Sequence, residues 1–309
     1  MTTQDNTSTA GHKTLDGGKQ TDWSNTPNSG EQPLITIITS TFNAAADLPW
    51  TIKSIKKQKY PNLQWIVVDG ASTDGTTTLL ANNSDIIDYW ISEPDKGIYD
   101  AWNKALKHAN GEWIQFIGAG DELASPDVLS MVAPHLSKAF PTYDLVYGRL
   151  QFISETSREI IEEVGEPWTN LKGKWECFRP KLPIHPAVYH HYKIIKELGF
   201  DSNYKIAGDS KLLMLCIQRK DPLYIPILVD KMLTGGISAN IENNYRVSNE
   251  IIAISAELGI KPPLIHTLTE KTKVFTKRLL LKFFPQKKVY LIADYYRKIL
   301  GKPRKWNDL

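Results

Sequence analysis

Four short apolar runs divide the first half of the chain, and each ends in small, polar or acidic residues. The runs are Leu34–Thr39, Leu63–Val68, Ile86–Ile91 and Trp113–Ile117. Apolar runs of this length, bounded by turn residues, predict β-strands that are buried on both faces. Helical periodicity fills the intervals, most clearly between Ile98 and Ala109. Strands that alternate with helices predict βαβ units around a parallel sheet, so the predicted fold class is α/β.

The fourth run leads into the sequence W-I-Q-F-I-G-A-G-D-E, in which Asp121 and Glu122 follow a turn of Gly118, Ala119 and Gly120. Right-handed crossovers place the carboxyl ends of parallel strands at one edge of the sheet, and open α/β sheets bind their ligands there. Mg²⁺ is often held by only one or two protein carboxylates, with phosphate oxygens completing its coordination. The pattern therefore predicts a metal or phosphate site at this turn, with a plain helix cap as the alternative.

The second half of the chain has a different pattern. Two longer, half-polar strands are predicted at Leu145–Ile153 and Ile160–Val164, and we expect them to extend the sheet as a mixed sheet. Asp209 opens an apolar-periodic helix, and the strand-like run Leu223–Leu233 stops at two glycines. From Glu242 onward the chain is predicted to be helical.

Both ends of the chain differ from this central region. Residues 1–32 are rich in Thr, Gly, Asn, Ser, Gln and Asp, and Leu15 and Trp23 are nearly their only bulky apolar residues. Such a segment buries too little surface to offset its ordering entropy, so it is predicted to be disordered. The predicted domains are this extension, a folded domain at 33–240 with halves 33–123 and 124–240, and a tail at 241–309.

The composition is that of an ordinary globular protein, with 309 residues, 41% of them hydrophobic and 23% charged. The two cysteines, Cys177 and Cys216, do not make a disulfide framework, which favours a reducing compartment. The sequence has no apolar run of bilayer-spanning length and its first residues do not resemble a signal peptide. These observations predict a cytoplasmic protein.

Charge is distributed unevenly along the chain. The last 49 residues contain thirteen Lys and Arg and three acids, a net charge of +10, which leaves −7 for the first 260 residues out of the total of +3. Basic residues alternate with apolar ones around Val274–Phe284 and Ile292–Ile299. Basic amphipathic helices bind anionic membranes, so the tail is predicted to lie on the inner face of the cell membrane. Packing against the folded domain, or a contact between copies, is the alternative.

Polar residues at the other strand ends are candidates for binding a nucleotide. Thr41 and Asn43 follow the first strand, and Asp69 follows the second with Ser72 and Asp74 behind it. A carboxylate can accept hydrogen bonds from a base N–H or a ribose hydroxyl. A plain loop with a helix cap is the alternative for this group. The sequence has no P-loop and no G-x-G-x-x-G after a strand, which disfavours kinases and dinucleotide-binding enzymes.

The third strand end supplies two weaker candidates. Asp95 and Lys96 stand there, and the lysine is placed to meet a diphosphate, although a single lysine is more often only solvated. Asn103 lies one turn into the following helix, where a simple surface role is the alternative.

Together, four motifs resemble the family 2 glycosyltransferases, inverting enzymes with the GT-A fold. The motifs are T-F-N at 41–43, V-V-D-G-x-S-T-D-G-T at 67–76, S-E-P-D-K-G-I-Y-D-A-W-N-K-A at 92–105 and G-E-W-I-Q-F-I-G-A-G-D at 111–121. The resemblance covers about residues 33–240 and is nearest to the branch that builds bacterial exopolysaccharide and O-antigen repeat units. It implies an enzyme that moves a sugar from a nucleotide-diphosphate sugar, UDP-linked by preference, to a glycan acceptor that is lipid-linked, with no nucleic acid as partner.

The resemblance also implies roles for individual residues. Asp69 and Thr41 match base-side contacts, and Asp121 matches the acid that binds Mg²⁺ or Mn²⁺. Asp209 matches the catalytic base, with a plain N-cap of its helix as the alternative. On the donor side it implies that Lys96 and Asp95 face the sugar-diphosphate region. Asn43, Ser72, Asp74 and Asn103 are nucleotide-sugar-binding candidates from their positions in the sequence. On the acceptor side it implies that Gly235 and Gly236 lie near the active site. His185 stands in the matching H-P-A-V segment and is a candidate acceptor contact, with packing inside a Pro-rich loop as the alternative.

One departure from the family pattern bears on metal binding. The first acid of the D-x-D element is missing, because position 119 is Ala. This absence motivates the alternative of a catalytically weak or inactive nucleotide-sugar-binding scaffold. A sugar nucleotidyltransferase is a third possibility, but it requires a Gly-rich basic loop that residues 40–47 do not provide.

Overall fold

The computed structural model describes residues 14–23, 32–235, 243–299 and 301, and these residues build one mixed sheet of ten strands with a separate two-stranded ribbon. The sheet strands are β1 Leu15–Gly17, β2 Ile35–Thr41, β3 Leu63–Asp69, β4 Tyr89–Ser92, β5 Trp113–Gly118, β6 Glu122–Leu123, β7 Leu145–Ile153, β8 Ile160–Val164, β11 Val188–His191 and β12 Leu223–Leu233. The ribbon is β9 Trp175–Glu176 with β10 Arg179–Pro180. The sheet order is β1-β4-β3-β2-β5-β11-β7-β12-β6, and β8 pairs with β7.

The helices cover the two faces of this sheet. They are α1 Leu48–Lys56, α2 Thr76–Asn82, α3 Ile98–Leu106, α4 Val128–Ala139, α5 Trp168–Leu171, α6 Tyr192–Leu198, α7 Gly208–Arg219, α8 Asn244–Glu257, α9 Leu264–Phe283 and α10 Gln286–Ile299. A short 3₁₀ turn, His185–Ala187, precedes β11.

The parallel sheet predicted for the first half is confirmed. Strand β3 pairs in parallel with β2 and with β4, and β2 pairs in parallel with β5. The register aligns Thr41, Asp69 and Ser92, so the ends of three strands lie side by side. Strand β4 begins three residues later than predicted, because the amides of Ile86 and Ile87 donate to the Asn83 carbonyl and hold a turn there.

The predicted mixed extension is also confirmed. Strand β11 is antiparallel to both β5 and β7, and β12 is parallel to β7. Strands β7 and β12 therefore run in the same direction as β5. As a result, the carboxyl ends of both halves of the sheet meet at one edge.

The core consists of two apolar layers, one on each face of the sheet. Alternate residues of β5 show how the strand serves both layers: Trp113 and Ile117 belong to one, and Ile114 and Phe116 to the other. All four side chains are fully buried. This arrangement explains why the strand reads as a continuous apolar run instead of alternating with polar residues.

Part of the N-terminal segment is ordered, contrary to the prediction of disorder for residues 1–32. Strand β1 pairs antiparallel with β4, and the amides of Lys19 and Gln20 donate to the carbonyls of Ile87 and Asp88. Backbone hydrogen bonds hold this segment, and a prediction based on side-chain hydrophobicity does not register them. Residues 1–13 and 24–31 of the extension lie outside the described residues.

Helix α8 is part of the folded core, although the prediction assigned it to the tail. Its side chains Ile251 and Ile254 are buried against the layer that contains Leu212 and Leu213 of α7. Helices α9 and α10 lie further out, and α9 has no buried residue. None of the helices in the described ranges is long and apolar enough to cross a membrane.

Candidate active site

Asp69 ties together the ends of three parallel strands. Its carboxylate is fully buried and accepts hydrogen bonds from the hydroxyls of Thr41 (2.8 Å), Ser92 (2.6 Å) and Ser72, and from the Ser72 amide (2.9 Å). A carboxylate has about four acceptor sites, so this set of donors is complete. Asp69 therefore fixes the positions of the loops that follow β2 and β3.

The other polar residues of these loops are bonded to one another. The Asn43 amide donates to the Ser72 hydroxyl (2.7 Å), and the Asn43 side chain accepts from the Thr73 amide (3.0 Å). Asp74 accepts from the Ala45 amide (2.9 Å), and its hydrogen bond from the Thr76 hydroxyl is the main cause of a lowered pKa. The structure thus brings Asn43, Ser72 and Asp74 together as one interlocked rim.

The rim is completed by the loop after β4. Asp95 accepts from the Gly97 amide (2.8 Å), and its carboxylate closely approaches Gly70, which has no side chain to obstruct it. Phe42 lies beside Gly70 with 67% of its surface exposed. Lys96 is exposed on the same loop. An open aromatic ring next to polar loops is suited to stacking against a base.

Asp121 stands on a tight turn at the end of β5. Its two carboxylate oxygens accept from the backbone amides of Gly118 (2.8 Å) and Leu233 (3.0 Å). A Cβ on Gly120, which has φ of +94°, would overlap the Leu233 side chain, so the turn requires glycine there. Burial raises the pKa of the Asp121 carboxyl to about 7, against the opposing effect of both amides.

Arg158, from the turn between β7 and β8, braces the Asp121 turn. Its guanidinium donates to the Gly120 carbonyl (3.0 Å) and to the Glu122 carboxylate, and it lies 4.4 Å from the centre of the Trp50 ring. Glu122 thus contributes through its ion pair with Arg158.

A second buried carboxylate lies near Asp121. Asp230 on β12 is fully buried, and within the described residues neither of its oxygens has a hydrogen-bond partner. Burial first, and then the charge of Asp121, raises the Asp230 pKa. The repulsion between the two carboxylates disfavours ionisation of both, and a nearby cation would relieve it.

The Asp121 turn is compatible with a divalent cation that is completed by phosphate. The described residues contain no group of three or more His, Cys, Asp or Glu side chains able to hold a metal by themselves. Mg²⁺ and its relatives do not need such a cage when substrate phosphates provide oxygens. Each Asp121 oxygen keeps a free acceptor position beside its single amide donor.

Asp209 occupies the first turn of α7, where it is half-buried. Its Oδ1 accepts from the Tyr99 hydroxyl (3.1 Å) and from the Ser210 amide (2.7 Å). Burial raises the Asp209 pKa, while the Ser210 amide, Arg179 and Tyr99 act in the opposite direction. The Lys205 ammonium donates to the Lys96 carbonyl (2.8 Å), so the loop before Asp209 is joined to the loop after β4.

Glu250 of α8 holds the segment that leads to Asp209. Its carboxylate accepts from three consecutive backbone amides, those of Lys205, Ile206 and Ala207, at 2.9–3.2 Å. These amides would otherwise be unsatisfied next to the start of α7. The C-terminal helix α8 therefore positions the loop next to the predicted base.

Two of the predicted ligand contacts, Asn103 and His185, make contacts within the protein. Both polar atoms of the Asn103 side chain bond the backbone of Phe200, at 2.7 and 2.9 Å, so this residue pins α3 to a neighbouring loop. His185 is buried between the rings of Trp102 and Phe116, and burial lowers its pKa to about 3. The structure does not bring either residue to the rim formed by the nucleotide-side loops.

The predicted glycine pair is described only in part. Gly235 adopts φ of +95° at the turn after β12, close to Leu233, whose amide supports Asp121. Gly236 lies outside the described residues.

Sequence reasoning named Phe42 only as part of the T-F-N loop, and it missed Arg158 and Glu250 as residues of the site. Phe42 lies inside the T-F-N motif, so its exposed position after a strand was the available signal. Arg158 and Glu250 act from segments that no motif marks, and only the tertiary structure relates them to Asp121 and Asp209.

The sheet, its nucleotide-side rim and the acidic turn define a GT-A transferase fold, and comparison with known proteins identifies the family. Residues 36–196 match the family described as Glycosyl transferase family 2. The chain is 38% identical over 258 residues to the PGL/p-HBAD biosynthesis glycosyltransferase of Mycobacterium bovis BCG, covering 81% of this chain and 95% of that protein. It is 34% identical over 94 residues to the putative teichuronic acid biosynthesis glycosyltransferase TuaG of Bacillus subtilis, covering 29% and 37%.

Solved structures agree on the fold. Staphylococcus aureus TarS 1–349 with UDP-GlcNAc superposes with a TM-score of 0.56 at 16% identity, covering 85% of this chain and 77% of that one. The mannosyltransferase PcManGT of Pyrobaculum calidifontis, with GDP-Man and Mn²⁺, gives 0.56 at 20% identity, covering 84% and 72%. This chain belongs to glycosyl transferase family 2 and is a glycosyltransferase with the GT-A fold.

Proposed function

We propose that the protein transfers a sugar, with inversion, from a nucleotide-diphosphate sugar to a hydroxyl of a lipid-linked glycan, and that UDP is the preferred nucleotide. The observation that carries this proposal is Asp209, a half-buried carboxylate held at the start of α7 by Tyr99 and by the Ser210 amide. Its loop is joined to the nucleotide-side rim through Lys205 and Lys96. A base in this place would face an acceptor that approaches the donor sugar.

Asp209 acts as the general base in the proposed reaction. An acceptor hydroxyl is a poor nucleophile, so a carboxylate must accept its proton as the oxygen attacks the anomeric carbon. Burial raises the Asp209 pKa, which makes the carboxylate a stronger proton acceptor. Because one base and one in-line displacement are used, the anomeric configuration is inverted.

The donor is held by the rim. Phe42 stacks on the base, the loops fixed by Asp69 line the base and ribose, and Lys96 meets the diphosphate. Asp121 would hold Mg²⁺ or Mn²⁺, and such a cation offsets the charge on the departing nucleoside diphosphate. Arg158 and the Leu233 amide keep the Asp121 turn in place for this role.

The names of two relatives support the proposed acceptor. These relatives are named for PGL/p-HBAD biosynthesis and for teichuronic acid biosynthesis, which supports a cell-surface glycan as the product here. A lipid-linked acceptor would bring this protein, as a peripheral protein, to the inner face of the cell membrane.

A ligand screen tests the donor assignment. A ligand at 100 times its Kd stabilises the native state by about 2.7 kcal/mol, and a weaker ligand at the same concentration stabilises it less. We therefore expect UDP-sugars with Mn²⁺ to raise the unfolding temperature more than GDP- or dTDP-sugars. Phe42→Ala should weaken nucleotide binding by about 1–3 kcal/mol if the ring stacks on the base. Equal shifts for all three nucleotides would remove the preference for UDP.

Single-turnover transfer tests the base. Asp209→Asn should lower the rate by about 10²–10⁴. Asp201→Asn is a matched control, because Asp201 lies nearby but is paired with Lys211. Unchanged transfer in Asp209→Asn would exclude Asp209 as base. Nucleotide binding without transfer by the wild type would instead support the scaffold alternative, which the missing acid at Ala119 motivates.

A further inference from the structure

The outward side of helix α9 is apolar. Six large side chains of this helix have 45–78% of their surface exposed: Leu264, Ile265, Leu268, Phe275, Leu279 and Phe283. Positions 264, 268, 275, 279 and 283 are separated by steps of about four or seven, which places them along one side of a helix. A helix of a water-soluble domain normally turns such a stripe toward the core.

The inward side of α9 is mostly polar. His266, Thr267, Glu270 and Lys277 are partly covered, and the His266 ring lies 6.3 Å from the ring of Trp175 on β9. Val274, Leu280 and Leu281 are also partly covered and pack on apolar neighbours, so apolar side chains lie on both sides of α9 and the larger set of them is exposed. Among the residues that the structure describes, none covers the apolar stripe enough to bury it.

Helix α10 also exposes an apolar side. Val289 and Tyr290 are buried and pack on Leu280 and Leu281 of α9, which joins the two helices. The opposite side of α10 exposes 43–69% of five large side chains: Leu291, Ile292, Tyr295, Tyr296 and Ile299. Tyrosine is enriched at the boundary between water and hydrocarbon, because its ring is apolar and its hydroxyl is polar.

The charges around these two stripes have one sign. Lys271, Lys282, Lys288 and Lys298 are exposed on the same helices. The acids within α9 and α10 are Glu270, which is partly covered, and Asp294, which is buried. The outward surface of the two helices therefore combines apolar groups with positive charge and presents no exposed carboxylate.

The helix pair is attached close to the catalytic edge. Arg297 of α10 pairs with Glu162 of β8 at 3.4 Å. Arg297 and Thr234 also line one groove of about 520 Å³. Thr234 follows Leu233, whose amide supports Asp121. Whatever binds the outward surface is thus held near the acidic turn.

We propose that the outward sides of α9 and α10 form a docking surface for an anionic phospholipid bilayer. Apolar side chains enter the headgroup region, while the lysines around them meet the lipid phosphates. Positive charge without exposed acids complements an anionic surface, and this feature favours lipid over a second copy of the chain, which would bring like charges together. The inference builds on the proposed function in one respect, since a lipid-linked acceptor would be met at the same surface.

Vesicle flotation of the full chain tests the docking surface without using activity. We expect the protein to float with vesicles that contain phosphatidylglycerol and to remain behind with vesicles of phosphatidylcholine alone. Added salt should weaken binding, because the charges are exposed and therefore screened. Absence of binding to both vesicle types, or equal binding to both, would overturn the proposal.

Two sets of variants assign the binding to this surface. Lys271→Gln, Lys282→Gln and Lys288→Gln together should weaken binding about 100-fold, at about a factor of five per charge. The matched control replaces three exposed lysines of the catalytic domain: Lys56, Lys57 and Lys138. The control should bind as the wild type does, and equal losses in both sets would overturn the assignment.

The apolar set is Phe275→Ser, Leu279→Ser and Phe283→Ser. These side chains are exposed, so the unfolding temperature should remain that of the wild type while flotation is lost. Light scattering tests the alternative that a second copy of the chain binds this surface. If the wild type is a dimer that does not bind vesicles, and these substitutions make it monomeric, the surface is a contact between copies. Flotation without sugar transfer would leave docking intact and count against the proposed function alone.

Discussion

Asp69 and Asp121 end two strands of the same sheet and are both buried, but they differ in the number of hydrogen bonds that they accept. Asp69 receives four, from Thr41, Ser92 and twice from Ser72. Asp121 receives two, both from backbone amides. The first carboxylate is saturated and the second is not.

The difference predicts a structural role for Asp69 and a binding role for Asp121. A saturated buried carboxylate stabilises the loops that it joins and has no remaining capacity for a ligand. A carboxylate with spare acceptor positions keeps an unfavourable desolvation energy, which a cation can relieve. Asp230, with both oxygens unsatisfied near Asp121, adds to this local demand for positive charge.

Replacing Asp121 by asparagine should mainly reduce transfer, and replacing Asp69 should mainly reduce stability. These are the largest effects that we expect. Asp121→Asn should lower metal-dependent transfer by about 100-fold or more, because a bound cation contributes several kcal/mol to the reaction. Asp69→Asn should lower the free energy of unfolding by about 3 kcal/mol, because an amide NH₂ would face donors that the carboxylate now satisfies. Transfer rates and denaturant unfolding of the two variants measure both quantities.

The contrast between the two variants is itself the control. Asp69→Asn should retain more transfer than Asp121→Asn when both are assayed well below their unfolding temperatures. If Asp69→Asn abolished nucleotide binding at unchanged stability, Asp69 would be a direct ligand contact and the distinction between the two carboxylates would fail.

The stability of the protein should fall as pH rises from about 4 to about 7, because of Asp121. Its native pKa is about 7 and its ordinary value is 3.8, so in this range the native state binds more protons than the unfolded state. The stabilisation is complete below the ordinary pKa of 3.8 and is lost as the pH rises through the native pKa of about 7. The loss in the free energy of unfolding is at most about 4 kcal/mol. Unfolding temperatures at pH 5 and pH 8 should therefore differ more for the wild type than for Asp121→Asn.

Metal sharpens the same measurement. A divalent cation favours the ionised carboxylate, so Mn²⁺ should raise the unfolding temperature of the wild type more at pH 8 than at pH 5. An identical metal effect in Asp121→Asn would locate the cation elsewhere.

A third carboxylate, Glu250, extends the comparison to the loop before Asp209. Glu250→Gln should lower the free energy of unfolding by about 1–3 kcal/mol, since three backbone amides share this carboxylate. It should also slow transfer by displacing the Asp209 loop. Glu257→Gln on the same helix is the control and should cost about 1 kcal/mol or less, because its pair with Lys211 is more exposed. Equal effects of the two substitutions would mean that Glu250 has no special relation to Asp209.

The smallest effect is expected at Glu122, which reaches Asp121 only through Arg158. Glu122→Gln should reduce Mn²⁺ affinity by a few-fold, because it removes one partner of the guanidinium that braces the Gly120 carbonyl. Isothermal titration with Mn²⁺ and nucleotide measures the change. A loss as large as that in Asp121→Asn would make Glu122 a metal ligand.

The parts of the molecule that were predictable from sequence are those specified by local pattern. The four parallel strands read as apolar runs because both faces of the sheet are covered, and their polar ends fall at one edge by topology alone. The positions of Thr41, Asp69, Ser72 and Asp74 in one network follow from that edge. The family motifs mark the same residues.

The parts that were not predictable depend on long-range contacts. Arg158 donates to Glu122, beside the Asp121 turn, and the two residues are 36 positions apart in sequence. Asn103 was predicted to face the ligand but bonds the Phe200 backbone, 97 positions distant. His185 was a candidate acceptor contact with packing as the alternative, and aromatic rings bury it. In each case the partner, and not the residue type, decides the role.

The short strand β1 should affect the solubility of the purified protein. It covers the open hydrogen-bonding groups of β4, which would otherwise form the border of the sheet next to the motif loops. Exposed borders of sheets pair with strands of other molecules and initiate aggregation. A shortened protein that begins at residue 33 would keep every catalytic group described above and would still be expected to precipitate more readily than the full chain. Residues 14–23 should therefore be retained in any preparation intended for concentrated solution.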